Sequence, residues 1–303
     1  MKKRAVSSLL AVLAVVSFIL PVLATEPLDD AEPSEEVIAD VDPEKSFVYL
    51  DGVPQSIEYE LRNDTTYITV SSFVSMVDPQ AVVEEEDGVV TVSSVRTEEV
   101  VDEEGNISTV VRETLSMTIS TKVPYIIAND RYLYATDITT VNDHVAVPIR
   151  KLALVYNLAV DYDPVADAAL LLHVEGADTF IESGDSYYDE ESVFWLSRII
   201  YNESGNQIME GKIAVGNVVM NRVNSPNFPD NIHDVLNQKN QFLPTSTLSK
   251  RTPNSSSVVA AKLVLDGAVV LPTALFFNMK GLTCYASKYR PYVTTIGCHD
   301  FFA

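Results

Sequence analysis

A change of hydrophobic period near the middle of the chain constrains its fold more than any other feature. Up to about residue 175, apolar residues come in short β-branched runs cut by Asp, Asn and Gly; beyond about residue 189 they recur every three to four positions. The first pattern suits hairpins and half-buried strands, the second amphipathic helices. A chain of 303 residues has room for two domains. The switch predicts an α+β protein with a strand-rich domain over 46–175, a Gly-, Asp- and Ser-rich linker over 176–188, and a mainly helical α+β domain over 189–303.

Within the strand-rich part, residues 47–50 run into Asp51-Gly52, a hairpin signal, and residues 67–70 and 88–92 are further β-branched runs. Glu84, Glu85, Glu86 and Asp87 read as a charged turn between them. A second set follows: residues 124–127, a turn at Asn129-Asp130, residues 145–148, a short helix over 149–158, residues 160–162, a turn at Asp163-Pro164, and residues 168–172. The two sets read as one internal repeat. Asn63-Asp64 leads into a strand and then Ser71-Ser72-Phe73; Asn142-Asp143 leads into a strand and then Ile149-Arg150. Residues 98–106 read as an acidic insertion in the first copy.

The N-terminus reads as a targeting segment, with Lys2, Lys3 and Arg4 before an apolar run over 9–20 and the small-residue site Val22-Leu23-Ala24. It predicts a signal peptide over 1–24 and a secreted protein with no membrane span after cleavage. Residues 25–45, acidic and proline-containing, are expected to be a disordered linker. The formal net charge of −22 argues against nucleic acid and anionic lipid as partners. From Ser192 onward the balance reverses, with ten bases against six acids, which suits an anionic polymer. Cys284 and Cys298 are the only cysteines. Export would allow them a disulfide closing a terminal loop, worth about 3 kcal/mol; burial as two free thiols is the alternative. No Cys or His spacing suggests a metal site, and nothing suggests a cofactor.

The helical part carries the candidate chemistry. Val193, Leu196, Ile200 and Glu203 fall on one helical stripe that is apolar until its last member. A carboxyl drawn inward has its pKa raised, as a general acid for glycosidic cleavage requires; a glutamate idle at a fraying helix end is the bland reading. On the next helix Met209, Ile213, Gly216, Met220 and Val223 share a face, with Asn217 and Asn221 beside it as a polar pair able to bind sugar or only each other. Gln241 in a loop and His299 near the C-terminus are further contact candidates, His299 with a structural role as its alternative. Tyr201 and Tyr285 could stack on sugar rings, or belong to the core.

Two resemblances bear on these readings. Val147-Pro148-Ile149-Arg150 followed by Asn157-Leu158-Ala159-Val160-Asp161-Tyr162-Asp163 resembles the stalk domain named for the N-terminus of copper amine oxidases, with Tyr162 in place of a tryptophan. That implies a spacer or wall-associated module and no oxidase chemistry. The run from Arg198 through Glu203 to Val223, with Ser225-Pro226-Asn227-Phe228-Pro229, Gln241-Phe242, Phe276-Phe277-Asn278, and Ile296-Gly297 with His299 and Phe301, resembles the cell wall hydrolase family of the spore cortex-lytic enzymes (SleB). The resemblance implies a lysozyme-like catalytic domain that cuts MurNAc–GlcNAc bonds of peptidoglycan strands. Glu203 would act first as acid and then as base, leaving 1,6-anhydro-muramoyl ends. The chain departs from the pattern in lacking a recognisable peptidoglycan-binding repeat and in having Leu243 after Gln-Phe. Two rivals stay open: a hydrolase that delivers water and leaves reducing ends, and a catalytically silent wall-binding protein.

Overall fold

The computed structural model describes residues 48–303 apart from 58, 103 and 240. The expected signal peptide (1–24) and acidic linker (25–45) lie outside the described residues.

Two-residue turns organise the strand-rich half. β1 (Val48–Leu50) meets β2 (Val53–Pro54) at Asp51-Gly52, and β3 (Tyr59–Arg62) meets β4 (Thr65–Thr69) at Asn63-Asp64. Helix α1 (Val70–Val77) follows at once, the Thr69 hydroxyl accepting from Ser72 N. β5 (Val82–Glu86) turns through Asp87-Gly88 into β6 (Val89–Val101), which pairs along its length with β7 (Ile107–Ser120). β8 (Tyr125–Ala128) meets β9 (Arg131–Tyr134) at Asn129-Asp130, and β10 (Thr139–Val141) meets β11 (His144–Pro148) at Asn142-Asp143. Then come α2 (Ile149–Val155), β12 (Leu158–Asp163) and β13 (Ala168–His173). At all five of these turns both central residues have φ between 47° and 82°. That is the geometry whose twist matches paired strands and that Asn, Asp and Gly tolerate best.

The repeat is visible as a shared order of elements: hairpin, helix, hairpin. β3–β4–α1–β5–β6 recurs as β10–β11–α2–β12–β13, and β4 lies antiparallel to β11 with Ile68 opposite Val147, joining both copies in one sheet. Ile68, Phe73, Val147 and Leu152 from the two copies are buried in one core. Three local expectations differ from the structure. Glu84, Glu85 and Glu86 are strand residues of β5, and the turn is Asp87-Gly88 alone. The expected helix over 149–158 ends at Val155, because Asn157 takes a left-handed φ of 48°. The acidic insertion is the end of the long β6–β7 hairpin, with Glu98 paired to Val110.

The segment expected as a linker is packed. Phe180 and Ile181 are buried with Tyr156 in the strand-rich core, Asn157 Nδ2 donates to Phe180 O at 2.7 Å, and Ile181 N donates to Val155 O at 2.8 Å. Its Gly, Asp and Ser content conceals two apolar anchors. A one-turn helix, α3 (Gly184–Tyr187), closes it.

The helical half is built around α5 (Met209–Val223), preceded by α4 (Glu190–Ser204) and followed by α6 (Ile232–Leu236), α7 (Thr245–Leu248) and α8 (Ser255–Leu265). The stripe expected on α5 is too narrow: residues 211–219 are buried on every side, so α5 is a central helix. A Cβ at Gly216 would lie 2.8 Å from Val264 Cγ2 and 3.1 Å from Ile200 Cδ1, so the glycine lets α4 and α8 close on α5. The last sheet runs β14 (Phe276–Met279), β16 (His299–Phe302), β15 (Tyr292–Ile296), with α9 (Tyr285–Tyr289) between β14 and β15. Among the described residues no helix is long and apolar enough to cross a membrane.

The two halves share a seam. Tyr125, Tyr132 and Tyr134 of the β8–β9 hairpin pack on the helical core. Arg131 donates from Nε and Nη2 to the two oxygens of Asp266, the C-cap of α8, and Tyr188 Oη donates to the same carboxylate. The pair is almost fully buried, with side-chain exposures of 10 % and 3 %.

Candidate active site

Glu203 sits where the sequence pattern of α4 directs it. Asp189 caps the helix, its side chain accepting from Ser192 N at 2.8 Å. Leu196 and Ile200 are fully buried, and one turn further along the stripe Glu203 comes half out of the core. The end of α4 is held firmly. Lys212, itself buried, donates Nζ to Gly205 O at 3.0 Å and to Gln207 O at 2.5 Å, and Asn254 Nδ2 donates to Gly205 O at 3.0 Å. These bonds satisfy carbonyls that a helix C-terminus leaves free. The same Asn254 accepts from Ser257 N at 2.9 Å and so caps α8.

Burial pushes the Glu203 carboxyl above its ordinary pKa, opposed in part by Asn202 Nδ2, which donates to Oε1 at 2.9 Å. Glu203 and Asn202 lie at the meeting of two cavities. One, of about 540 Å³, also has Tyr201, Asn206, Arg251 and Asn254 on its wall. The other, of about 600 Å³, is lined by Arg222, Gln241, Phe277, Arg290 and His299 among others. Among the described residues lining either, Glu203 is the only carboxylate.

The other expected site residues divide. Gln241, exposed, and His299, buried, share the second cavity with Glu203, and Tyr201 lines the first. His299 stacks edge-on against Phe277 with centroids 5.2 Å apart. Burial lowers its pKa, opposed by the charge of Asp300, and so favours the neutral ring. Tyr285 is 61 % exposed and lines the cavity, which removes its reading as core.

Asn217 and Asn221 line neither cavity, and their amides bond backbone instead. Asn217 is buried, donating to Ala268 O at 2.7 Å and accepting from Val270 N and Leu271 N. Asn221 donates to Leu271 O and Ala274 O at 2.8 and 2.9 Å. The two amides clamp the chain between α8 and β14, whose backbone groups have no ladder to join.

Cys284 and Cys298 are free thiols, not a disulfide. Cys284 is the N-cap of α9, while Cys298 sits in the β15–β16 turn, its Sγ accepting from Gln207 Nε2. Asp300 accepts from Thr295 Oγ1 and Gly281 N, bonds that hold its pKa low and mark it as a turn brace.

Sequence reasoning missed Asn202, Arg222 and Arg290. Arg222 is buried, and desolvation lowers its pKa to about 10. Its position in an apolar stretch of α5, between Met220 and Val223, was the available signal.

Residues 206–302, beginning just past Glu203, match the family described as Cell Wall Hydrolase. The spore cortex-lytic enzyme of Halalkalibacterium halodurans is 28% identical over 116 residues, covering 38% of this chain and 35% of the relative. That of Bacillus cereus is 28% identical over 118 residues, covering 38% of this chain and 45% of the relative. The chain thus spans less than half the length of these curated relatives. A solved structure, the catalytic domain of the germination-specific lytic transglycosylase SleB from Bacillus anthracis, aligns at 25% identity over 41% of this chain and 100% of that chain, with a TM-score of 0.36. The C-terminal third of this chain is thus similar to cell wall hydrolases.

Proposed function

We propose that the protein is exported and cuts MurNAc–GlcNAc bonds in peptidoglycan as a lytic transglycosylase, with Glu203 as acid and then base. The observation that carries the reading is a single half-buried carboxyl, raised in pKa, where two cavities meet. A glycan strand lying across both would present one glycosidic oxygen to Glu203. The protonated carboxyl gives its proton to that oxygen as the bond to C1 breaks. The carboxylate so formed takes the proton of the muramoyl C6 hydroxyl, whose oxygen closes on C1 and leaves a 1,6-anhydro end. Ordinary hydrolysis uses a second carboxylate, as nucleophile or to activate water. No second acid lines these cavities among the described residues, which favours the internal hydroxyl over water. Relatives named spore cortex-lytic enzymes make cortex glycan one substrate to try. The basic-then-apolar N-terminus supports export.

The test incubates the protein and its Glu203→Gln variant with defined vegetative and cortex peptidoglycan and identifies chain ends by mass spectrometry. Anhydro-muramoyl ends from the unmodified protein alone are expected. Reducing ends would replace the mechanism with hydrolysis. Equal retention of both folded proteins on sacculi, with no cleavage, would leave a wall-binding protein.

A further inference from the structure

The second cavity beside Glu203 carries an excess of positive charge. Arg222 is 3 % exposed, its Nε donates to Leu275 O at 2.7 Å, and its Nη1 is buried with no hydrogen-bond partner. Its guanidinium carbon lies 5.3, 5.0 and 5.3 Å from the ring centroids of Phe228, Phe242 and Phe276. Arg290 lines the same cavity, its guanidinium carbon 4.8 Å from the Phe276 ring. Neither arginine makes an ion pair among the described residues, in contrast to Arg131. Glu203 is the cavity's one acid, and burial favours its neutral form.

A buried guanidinium without a counter-charge is expensive, and aromatic faces offset only part of that cost. Its planar fork of donors matches a carboxylate better than any neutral sugar hydroxyl. We propose that Arg222 and Arg290 form a carboxylate-binding subsite beside Glu203, filled by the lactyl or stem-peptide carboxylate of a muramoyl residue. The proposal rests on the peptidoglycan reading of the cavity and adds a selectivity: strands that carry negative charge beside the cut bind better than neutral ones.

The test measures binding of soluble glycan fragments to the Glu203→Gln protein in three forms: peptide-bearing, stripped to the free lactyl carboxylate, and with all carboxylates converted to neutral amides. Charge-assisted hydrogen bonds predict roughly tenfold weaker binding of the amide form. Adding Arg290→Gln, a change at an exposed side chain, should erase the difference; Arg222→Lys, which keeps the charge and loses the fork, should reduce it. Whichever charged form binds more tightly identifies the lactyl or the peptide carboxylate as the source. Equal affinity for charged and amidated fragments, or a preference that survives both substitutions, would overturn the subsite. Unmodified protein that cuts charged and neutral strands alike would keep the proposed activity and remove the subsite. Protein that cuts neither would remove the activity, and the affinity comparison would still decide the subsite.

Discussion

Two buried regions of this molecule treat charge in opposite ways. At the seam between the strand-rich and helical halves, Arg131 meets both oxygens of Asp266, Tyr188 donates to the same carboxylate, and the guanidinium stacks on Tyr187 at 3.2 Å. Around Glu203, the acid is desolvated with one weak donor beside it, and Arg222 Nη1 and His299 Nδ1 are buried without partners. A saturated network specifies one arrangement; an unsaturated one costs stability that binding can recover. The difference separates what holds the halves together from what is left for a ligand.

The largest effect expected is on chemistry. Glu203→Gln keeps the size of the side chain and removes its proton, so cleavage should fall by about 10²- to 10⁴-fold, the usual worth of general acid–base catalysis, in a mass-spectrometric end assay. Stability should move the other way, and the sign is set by the raised pKa. Above that pKa the folded protein must keep a desolvated carboxylate; below the ordinary carboxylate range folded and unfolded chains both bind the proton. Glu203→Gln should therefore raise the melting temperature near pH 7 and leave it unchanged near pH 3. A variant less stable at neutral pH would show that Glu203 belongs to the saturated kind of site.

Breaking the seam should do the reverse. Asp266→Ala leaves Arg131 buried and unpaired, a loss of about 3–5 kcal/mol by denaturant unfolding, while activity per folded molecule stays near that of the unmodified protein. Asn217→Ala orphans two backbone N–H groups and a carbonyl in the loop before β14, and should cost about 2–3 kcal/mol. A loss of glycan affinity without a loss of stability would restore Asn217 to the substrate. The smallest effect should be that of a reducing agent: Cys284 and Cys298 are free, so the melting temperature should not change. A disulfide would reveal itself as a fall equivalent to about 3 kcal/mol.

What could be read in advance was local. Asn63-Asp64, Asn129-Asp130 and Asn142-Asp143 mark turns because few other residue pairs accept two left-handed conformations in succession. The stripe ending in Glu203 follows from the helical period alone. The unread parts depend on partners distant in the chain. Asn217 bonds residues 51 to 54 positions away, so an isolated helix gives no sign that its amide is spent on a loop. β9 was missed because Arg131-Tyr132-Leu133-Tyr134 lacks the β-branched run of its neighbours, and its Arg131 reads as an exposed base until Asp266 comes into view 135 positions later. The catalytic candidate was legible from pattern and resemblance, while the arginines that surround it were not.

Helix α8 is fastened at both ends. Its cap residue Asn254 holds the last turn of the helix bearing Glu203, and its terminal Asp266 holds Arg131 of the strand-rich half. Eleven residues, a rod of about 16 Å, thus run as a strut from the β8–β9 hairpin to the acid. Severing the chain near residue 175 would take away the Arg131 abutment, and a fragment so made would keep the Asn254 brace on its acid while losing stability at the far end of the strut.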